Sequence, residues 1–248
     1  MREFKIPIHQ PYNFKTVLSF LKRHEAFGIE EVSEECYLRY VKTDDGCRVI
    51  KVTMSRSNDA LQVLCISDDL EKIRHLFDTD HNPKVLPKPT GVRVVGCYDP
   101  FEVAVSIILG QLISVNAATK KLEQLIKEFG SPIKDNIYAF PSPKKLIDAE
   151  LKNLGITKIK ASAINSLALK SYHDDIFLED DFDKAREKLL SIKGIGSWTS
   201  EMIIMRCFKD RDAFAKNDLF IQKNLIDEKP WIPYRAYLTH YIWNKAVA

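Results

Sequence analysis

The sequence predicts a mainly α-helical protein with a small N-terminal α+β domain that contains an antiparallel sheet. Two observations support this fold class. Three β-rich runs occur within the first 88 residues, whereas apolar residues recur at helical spacing from residue 99 onwards. The two parts are joined by "HNPKVLPKPTG" (81–91), which carries three prolines and is typical of a linker. We therefore place the N-terminal domain at 1–88 and a helical region at 89–248.

Each element of the N-terminal domain has its own signal. Apolar residues repeat at helical spacing over 13–24, and Asn13 is a suitable N-cap for that helix. The β-rich runs are "CYLRYVK", "CRVIKVTM" and "ALQVLCI", and Asp45-Gly46 between the first two is a strong hairpin signal. A second helix is expected over 68–78, where acidic residues at the start suit the helix dipole.

The region beyond the linker predicts an array of about eight helices. Asp99 is a candidate cap for the first helix, Pro100 fits its first turn, and Gly110 weakens its end. Further helical patterns follow at 114–129, 142–149, 158–173, 181–192, 197–208, 217–226 and 233–243. Short polar turns separate these patterns, as expected for helices packed against one another.

Composition restricts the function classes. The longest apolar runs are far too short to span a bilayer, and the first residues lack the apolar core of a secretion signal. A cytoplasmic protein, nucleoid-associated if bacterial, is therefore expected. The five cysteines are widely spaced and favour reduced thiols, and the absence of Cys-x-x-Cys argues against zinc and iron–sulfur cofactors. The net charge of +3 permits a nucleic-acid partner without requiring one.

The stretch "SIKGIGSWTS" (191–200) joins two predicted helices through a turn with two glycines. Glycine can adopt a positive φ and allows another backbone to approach closely, which applies to both Gly194 and Gly196. The free amides near Ser197, at the start of the next helix, form an anion site suited to one backbone phosphate. Carbonyls on the other side of the turn could hold a monovalent cation. A tight helix–helix corner without a ligand is the alternative explanation of the two glycines.

Four motifs in the helical region carry a family resemblance. They are "DPFEVAVSIILGQLISVNAATK" (99–120), "GIGSWTSEM" (194–202), "AKNDLFIQ" (215–222) and "KPWIPYRAYLTHYIW" (229–243). In this order they resemble the AlkA-type 3-methyladenine DNA glycosylases II, which belong to the helix–hairpin–helix DNA glycosylase superfamily. The N-terminal sheet region fits the extra β domain of that subfamily.

The resemblance implies both a fold and an activity. The fold is the helix–hairpin–helix glycosylase array, with an active-site cleft between two helical subdomains at 100–210 and at 89–99 plus 211–248. The activity is that of a monofunctional DNA glycosylase in base excision repair. Such an enzyme flips alkylated purines (3-methyladenine, 7-methylguanine) out of double-stranded DNA and hydrolyses the N-glycosidic bond, leaving an abasic site. It requires no cofactor, has no membrane partner and is expected to be a monomer.

Asp218 aligns with the catalytic aspartate of that family. Breaking an N-glycosidic bond builds positive charge on the sugar, and a fixed carboxylate stabilises that charge or orients the attacking water. The sequence predicts Asp218 in the first turn of a helix that begins at Asn217, where an ordinary helix-start aspartate is the alternative reading. Trp198 stands where the strand-nicking relatives have the lysine that forms a Schiff base, so the resemblance implies base removal alone.

The resemblance also assigns the DNA contacts. Gln111 and Leu112 are both expected to contact DNA. Leu112 aligns with the leucine that fills the gap left by a flipped nucleotide, although a core leucine between two helices is the alternative. The residues expected to contact the DNA backbone at the hairpin are Gly194, Gly196, Ser197 and Thr199. A structural Na⁺ or K⁺ is expected on the backbone carbonyls of Leu190, Ile192 and Gly194.

The predicted base pocket departs from the family pattern. Trp198 and Trp243 match tryptophans that line it, whereas Met202 and Asn244 stand where two further tyrosines would be. A less aromatic pocket predicts that simple cationic lesions are excised and that neutral lesions such as hypoxanthine are not. Two other functions stay open: a glycosylase for a different lesion, such as an oxidised purine or uracil, and a non-catalytic helix–hairpin–helix DNA-binding module.

Overall fold

The computed structural model describes residues 1–88, 90–174, 176–224 and 226–245. Its N-terminal part contains a five-stranded antiparallel sheet in the order β1-β5-β4-β3-β2. The strands are β1 Arg2–Pro7, β2 Glu30–Val32, β3 Cys36–Thr43, β4 Gly46–Met54 and β5 Ala60–Cys65. Helices α1 (Phe14–Arg23) and α2 (Leu70–Phe77) share one apolar core with this sheet.

The sequence signals of this domain are confirmed in detail. The hairpin between β3 and β4 turns where predicted, since Thr43 pairs with Gly46. Asn13 caps α1 by accepting a hydrogen bond from the backbone N–H of Thr16. Side chains along β5 alternate between core and solvent around the exposed Gln62, as expected for a half-buried strand.

The helical part contains eight α-helices within the described residues, and the predicted mainly α fold class is confirmed. They are α3 Pro100–Gly110, α4 Val115–Phe129, α5 Pro143–Leu146, α6 Lys158–His173, α7 Phe182–Leu190, α8 Ser197–Cys207, α9 Leu219–Asn224 and α10 Arg235–Lys245. Helix α3 contributes mostly buried side chains to the core, and Asp99 caps it by accepting from the N–H of Glu102.

Some boundaries differ from the predicted ones. A short antiparallel ribbon, β6 (Ser131–Lys134) and β7 (Ile137–Ala139), occupies a stretch without a strand prediction. Helix α9 begins at Leu219 rather than at 217, because the residue before it caps the helix. Leu225, inside the predicted helix 217–226, and residues 246–248, inside the predicted helical region, lie outside the described residues.

A buried ion-pair cluster ties the sheet to α3. Arg39 on β3 donates from Nη2 to Glu102 Oε2 at 2.6 Å and from Nη1 to Glu102 Oε1 at 3.2 Å. The same Nη1 lies 3.2 Å from Glu30 Oε1, and Tyr37 donates to that carboxylate oxygen at 2.6 Å. All four side chains are almost inaccessible to solvent, so each charge depends on its partners for stabilisation.

Candidate active site

A cleft of about 380 Å³ opens between the N-terminal domain and the helical array. Its walls come from α1, α3, α4, α8, the start of α9 and α10. The fold brings four of the predicted site residues into this one cleft: Trp198, Met202, Asp218 and Trp243. These residues span 46 positions of sequence, and tertiary packing alone places them together.

Asp218 is held in a fixed orientation at the start of α9. Its Oδ1 accepts backbone hydrogen bonds from Phe220 at 3.0 Å and Ile221 at 2.9 Å, and its own N–H donates to Ala215. The carboxylate is therefore the N-cap of α9 rather than a member of its first turn, which corrects the predicted position.

The second carboxylate oxygen of Asp218 faces the indole of Trp198. Trp198 Nε1 donates to Asp218 Oδ2 at 3.1 Å, although the two residues lie twenty positions apart. Asn217, next to the aspartate, donates to Ser197 Oγ at 3.2 Å. Two hydrogen bonds thus link the start of α9 to the start of α8, and one of them is made by the Asp218 carboxylate.

One face of α8 forms a wall of the cleft. Trp198, Met202 and Arg206 are spaced four residues apart, so they lie along one side of this helix and all line the cleft. Trp243 stands opposite and stacks on Phe20 of α1, with ring centroids 6.2 Å apart and an angle of 19° between planes. Two tryptophans and a phenylalanine provide flat apolar surfaces in the cleft, with one carboxylate beside them.

Asn244 does not belong to this cleft, contrary to the sequence-based expectation. Its side chain lines a separate groove with Asn13, Thr16 and Tyr241. Although Asn244 directly follows Trp243 on α10, the two side chains line different cavities. The cleft therefore lacks the predicted asparagine.

Leu112 has the exposure expected of a wedge rather than of a core leucine. It is 99% exposed, and it adopts a left-handed backbone conformation with φ of +56°. A non-glycine residue in this region costs about 1 kcal/mol or more and calls for support from its surroundings. The apolar side chain stands out from the loop between α3 and α4, beside the mouth of the cleft.

A buried lysine supplies part of that support. Lys160 on α6 is 8% exposed, and its Nζ donates to the carbonyls of Leu109 at 2.9 Å and Gln111 at 2.6 Å. These carbonyls end α3, where the helix dipole favours a cation. Sequence analysis missed Lys160. The available signal was a lysine on a helix face otherwise occupied by alanine, isoleucine and leucine.

Gln111 and Thr199 connect the wedge loop to the glycine hairpin instead of projecting toward solvent. Gln111 Nε2 donates to the Gly194 carbonyl at 2.9 Å and to Thr199 Oγ1 at 2.9 Å. The Thr199 side chain is buried. The Thr199 hydroxyl therefore accepts from Gln111 inside the fold, and a DNA contact by Thr199 stays a prediction.

The structure requires glycine at the two hairpin positions to different degrees. Gly194 has φ of +97°, and a Cβ added there would lie 2.8 Å from Ile159 Cγ2 and 3.0 Å from the Ile159 carbonyl. Gly196 has φ of −96° in an extended conformation, and an added Cβ would meet no atom within 4 Å. The predicted need for positive φ therefore holds for Gly194 alone. The fold leaves open space above Gly196, at the exposed N-terminus of α8.

Comparison with known proteins covers both parts of the chain. The family model described as the AlkA N-terminal domain matches residues 3–94. The chain is 27% identical to DNA-3-methyladenine glycosylase 2 of Escherichia coli over 265 residues, covering 94% of each protein. The chain therefore resembles the AlkA-type DNA glycosylases in both of its parts.

Two further similarities agree with this resemblance. A probable bifunctional transcriptional activator/DNA repair enzyme AlkA of Mycobacterium tuberculosis is 27% identical over 96% of the chain. The chain spans only 56% of the length of that relative. The fold is that of the 3-methyladenine DNA-glycosylase from Archaeoglobus fulgidus, with a TM-score of 0.77 at 17% identity and full coverage of both chains.

Two of the hairpin carbonyls expected to hold a monovalent cation accept hydrogen bonds within the chain. Ile192 already accepts from the N–H of Ile195, and Gly194 accepts from Gln111. A carbonyl oxygen has two lone pairs, so each of these carbonyls can still accept one further contact. In the described part of the chain, no cluster of three His, Cys, Asp or Glu side chains is arranged to bind a metal ion.

The N-terminal domain contributes to the site directly, which sequence analysis did not predict. Phe20, Arg23 and His24 of α1 line the cleft, and their spacing of three and four residues puts them on one helix face. Arg206 and Phe220 are the other cleft residues that were missed. Arg206 lies four residues after Met202, which lies four after Trp198, and this spacing is the sequence signal that could have predicted it.

Among the described residues, none of the helices has the length and apolar character needed to cross a bilayer.

Proposed function

We propose that this protein is a monofunctional DNA glycosylase that flips alkylated purines out of double-stranded DNA and hydrolyses the N-glycosidic bond. The proposed products are a free base, such as 3-methyladenine or 7-methylguanine, and an abasic site. The observation that carries the proposal is the Asp218 carboxylate, oriented by Trp198 in a cleft with aromatic walls. The exposed Leu112 beside this cleft supports access to a base that leaves the duplex.

Asp218 supplies the electrostatic part of the proposed chemistry. As the glycosidic bond breaks, positive charge develops on the sugar, and a nearby carboxylate stabilises that charge. Three hydrogen bonds fix the orientation of the Asp218 carboxylate. A charge pair at ~4 Å in an effective dielectric of ~20 contributes ~4 kcal/mol, or about a thousandfold in rate. An alkylated purine that carries positive charge leaves without a general acid, so one carboxylate suffices.

Trp198 limits the proposed reaction to base removal. Strand cleavage of the Schiff-base type needs an amine nucleophile at this position, and an indole cannot form that adduct. The described residues that line the cleft include no lysine. Water is therefore the proposed nucleophile, and the strand stays intact after the base has left.

The hairpin is the proposed site for one DNA phosphate. No side chain caps the N-terminus of α8, where Gly196 and Ser197 are exposed. The open space above Gly196 lets a phosphate approach the uncapped amides, and the helix dipole adds to the attraction. A Na⁺ or K⁺ on the carbonyls of Leu190, Ile192 and Gly194 would add positive charge there. A single chain carries the cleft, the wedge and the hairpin, so we propose that it acts as a monomer.

The direct test is to incubate the protein with methylated duplex DNA and identify the released bases by chromatography. The proposal predicts free methylated purines and alkali-labile abasic sites, with no strand breaks before alkali treatment. Strand breaks in the absence of alkali would contradict the monofunctional assignment, and duplex binding without any base release would favour the non-catalytic DNA-binding module.

Leu112→Ala is expected to lower kcat/KM for a lesion in duplex DNA by about 10-fold to 100-fold, because a buried leucine side chain is worth about 1.5–3 kcal/mol. The thermal unfolding midpoint should not change, since the side chain is exposed. Leu178→Ala removes another exposed leucine, one that does not line the cleft, and serves as the matched control. Equal loss of activity in the two variants would refute a wedge role.

Alanine substitution should separate the two hairpin glycines. Gly194→Ala is expected to cost about 2–4 kcal/mol of folding free energy, from a strained φ and from the clash with Ile159. Gly196→Ala should leave the unfolding midpoint near that of the parent chain but weaken duplex binding, because its Cβ fills the space proposed for the phosphate. Calorimetry and binding titration measure the two effects. Unchanged duplex affinity in Gly196→Ala would argue against phosphate binding at the hairpin.

A further inference from the structure

Three segments without an acidic residue meet at the loop that carries Leu112. The chain has 34 aspartates and glutamates. None of them lies in three segments whose charged side chains are all lysines: 103–122, 151–172 and 188–200. Lys160 of the second segment donates to the Gln111 carbonyl of the first, and Gln111 donates to the Gly194 carbonyl of the third. The fold therefore concentrates positive charge around this loop.

Two turns beside the loop share one design. Gly155 has φ of +58° and Gly194 has φ of +97°, and each is followed by an isoleucine. A helix begins three residues after each glycine, α6 in the first case and α8 in the second. The turns lie side by side, because a Cβ on Gly194 would lie 2.8 Å from Cγ2 of Ile159, in the first turn of α6. The turn at Gly155 thus borders the hairpin that we propose as a phosphate site.

The turn at Gly155 differs from the hairpin in the source of its positive charge. Thr157 caps α6 by accepting from the N–H of Lys160 at 3.3 Å, whereas no side chain caps α8. The positive charge at the Gly155 turn comes instead from lysine side chains. Lys158 is the exposed first residue of α6, and Lys121 Nζ of α4 lies 3.0 Å from the position that a Cβ on Gly155 would take.

These two lysines are not neutralised within the described part of the chain. Neither Lys121 nor Lys158 makes an ion pair with a described residue, and Glu123, two positions after Lys121, pairs with Lys127 at 2.6 Å. Lys121 Nζ donates to the neutral amide of Gln124, with a distance of 3.4 Å to its Oε1. Both ammonium groups are therefore available to an anionic partner.

The lysine pair lies outside the cleft. None of the described residues that line the cleft comes from α6, and Lys121 is not one of them. In the proposed complex the flipped nucleotide draws its own strand toward the cleft, and Leu112 takes the place of its base in the duplex. The surface beyond Leu112, where the two lysines stand, then faces the strand that keeps its bases stacked.

We infer that Lys121 and Lys158 bind phosphates of the undamaged strand, so that the protein holds the duplex on both sides of Leu112. The inference rests on the proposed glycosylase function and extends its DNA contacts to the complementary strand. An ammonium group serves as a point charge for phosphate, and such contacts position a protein on a duplex without reading its sequence. The hairpin, whose Ser197 adjoins Trp198 of the cleft, serves the lesion strand.

Salt dependence tests whether the lysines contact phosphates. Kd is measured at several salt concentrations for a duplex with an abasic-site analogue. Lys121→Gln and Lys158→Gln should each lower the slope of log Kd against log salt concentration by about 0.9, which weakens binding about fivefold near ~0.15 M salt. Lys170→Gln removes a lysine about 18 Å further along α6 and is the control that should leave the slope unchanged. An unchanged slope in either Lys121→Gln or Lys158→Gln would overturn the inference.

Uncharged methylphosphonate linkages identify the strand. They replace the phosphates around the abasic-site analogue in one strand at a time, and the parent chain is compared with the variant that carries both Lys121→Gln and Lys158→Gln. The two proteins should bind with equal Kd when the undamaged strand is neutral, and should differ as before when the lesion strand is neutral. The reverse pattern would place the contact on the lesion strand and overturn the inference.

The two proposals fail in different ways, because these binding measurements involve no base release. If the slopes respond as expected but the parent chain releases no base from methylated duplex DNA, the proposed chemistry is wrong and the contact is that of a DNA-binding module. If bases are released but the slopes do not respond, the glycosylase function stands and the contact to the undamaged strand alone is overturned.

Discussion

Asp218→Asn is expected to reduce single-turnover base release by about a thousandfold, the factor that corresponds to losing ~4 kcal/mol of charge stabilisation. The substitution removes the negative charge and leaves the shape of the side chain almost unchanged. Asparagine is also a good N-cap, so its side-chain oxygen can still accept from the N–H groups of Phe220 and Ile221. The start of α9 and the unfolding midpoint should therefore be preserved.

Binding measurements separate this catalytic role from a structural one. Asp218→Asn should retain affinity for a duplex with an abasic-site analogue, since the wedge and the hairpin are untouched. Asp227→Asn is the matched control, because Asp227 also accepts a backbone hydrogen bond but is exposed and outside the cleft. Base release by Asp218→Asn at the rate of the control would show that the carboxylate does not act in the reaction.

Glu102→Gln is expected to lower the free energy of unfolding by about 3–5 kcal/mol, the usual cost of breaking a buried ion pair by removing one charge. The change leaves Arg39 buried with Glu30 as its remaining carboxylate partner. For a chain of this size, about 2–4 °C is lost per kcal/mol, so the thermal midpoint should fall by roughly 6–20 °C. The cluster joins β3 to α3, so its loss should also loosen the contact between sheet and helices.

Glu71→Gln provides the control for that measurement. Glu71 pairs with Arg74 on the surface of α2, and its side chain is 84% exposed, so its loss should change stability by less than about 1 kcal/mol. Scanning calorimetry of the two variants measures the difference. A Glu102→Gln midpoint equal to that of Glu71→Gln would mean that the buried cluster does not hold the two parts of the protein together.

Helix caps and the β3–β4 hairpin were predictable because each depends on residues that are close together in the sequence. Asn13, Asp99 and the Asp45-Gly46 turn occupy the positions expected from capping and hairpin chemistry. Helical spacing also identified most helices of the array. The β6–β7 ribbon escaped prediction because it is short and has few β-branched residues, and it forms where the chain packs against other elements.

The site was predictable only in part. Motif resemblance pointed to Trp198, Met202, Asp218 and Trp243, and the fold brings all four into one cleft. It gave no indication of Arg23 or His24, because α1 lies far away in sequence and approaches the cleft only through domain packing. The side chains of Asn244 and Thr199 lie elsewhere than expected for a related reason. A sequence motif carries no information about the direction in which a side chain leaves its helix.

The sequence by itself determined the fold class and predicted the resemblance to AlkA-type glycosylases, a catalytic candidate and a wedge candidate, because each rests on residues close together in the chain. Only the tertiary structure decided the rest. It gave the two hairpin glycines different roles, since a positive φ and a clash are properties of Gly194 in three dimensions. It also placed the guanidinium groups of Arg23 and Arg206 in the cleft with the aromatic walls. Charge acts through space over several ångströms, so the electrostatic character of the cleft depends on which distant residues the fold brings near it.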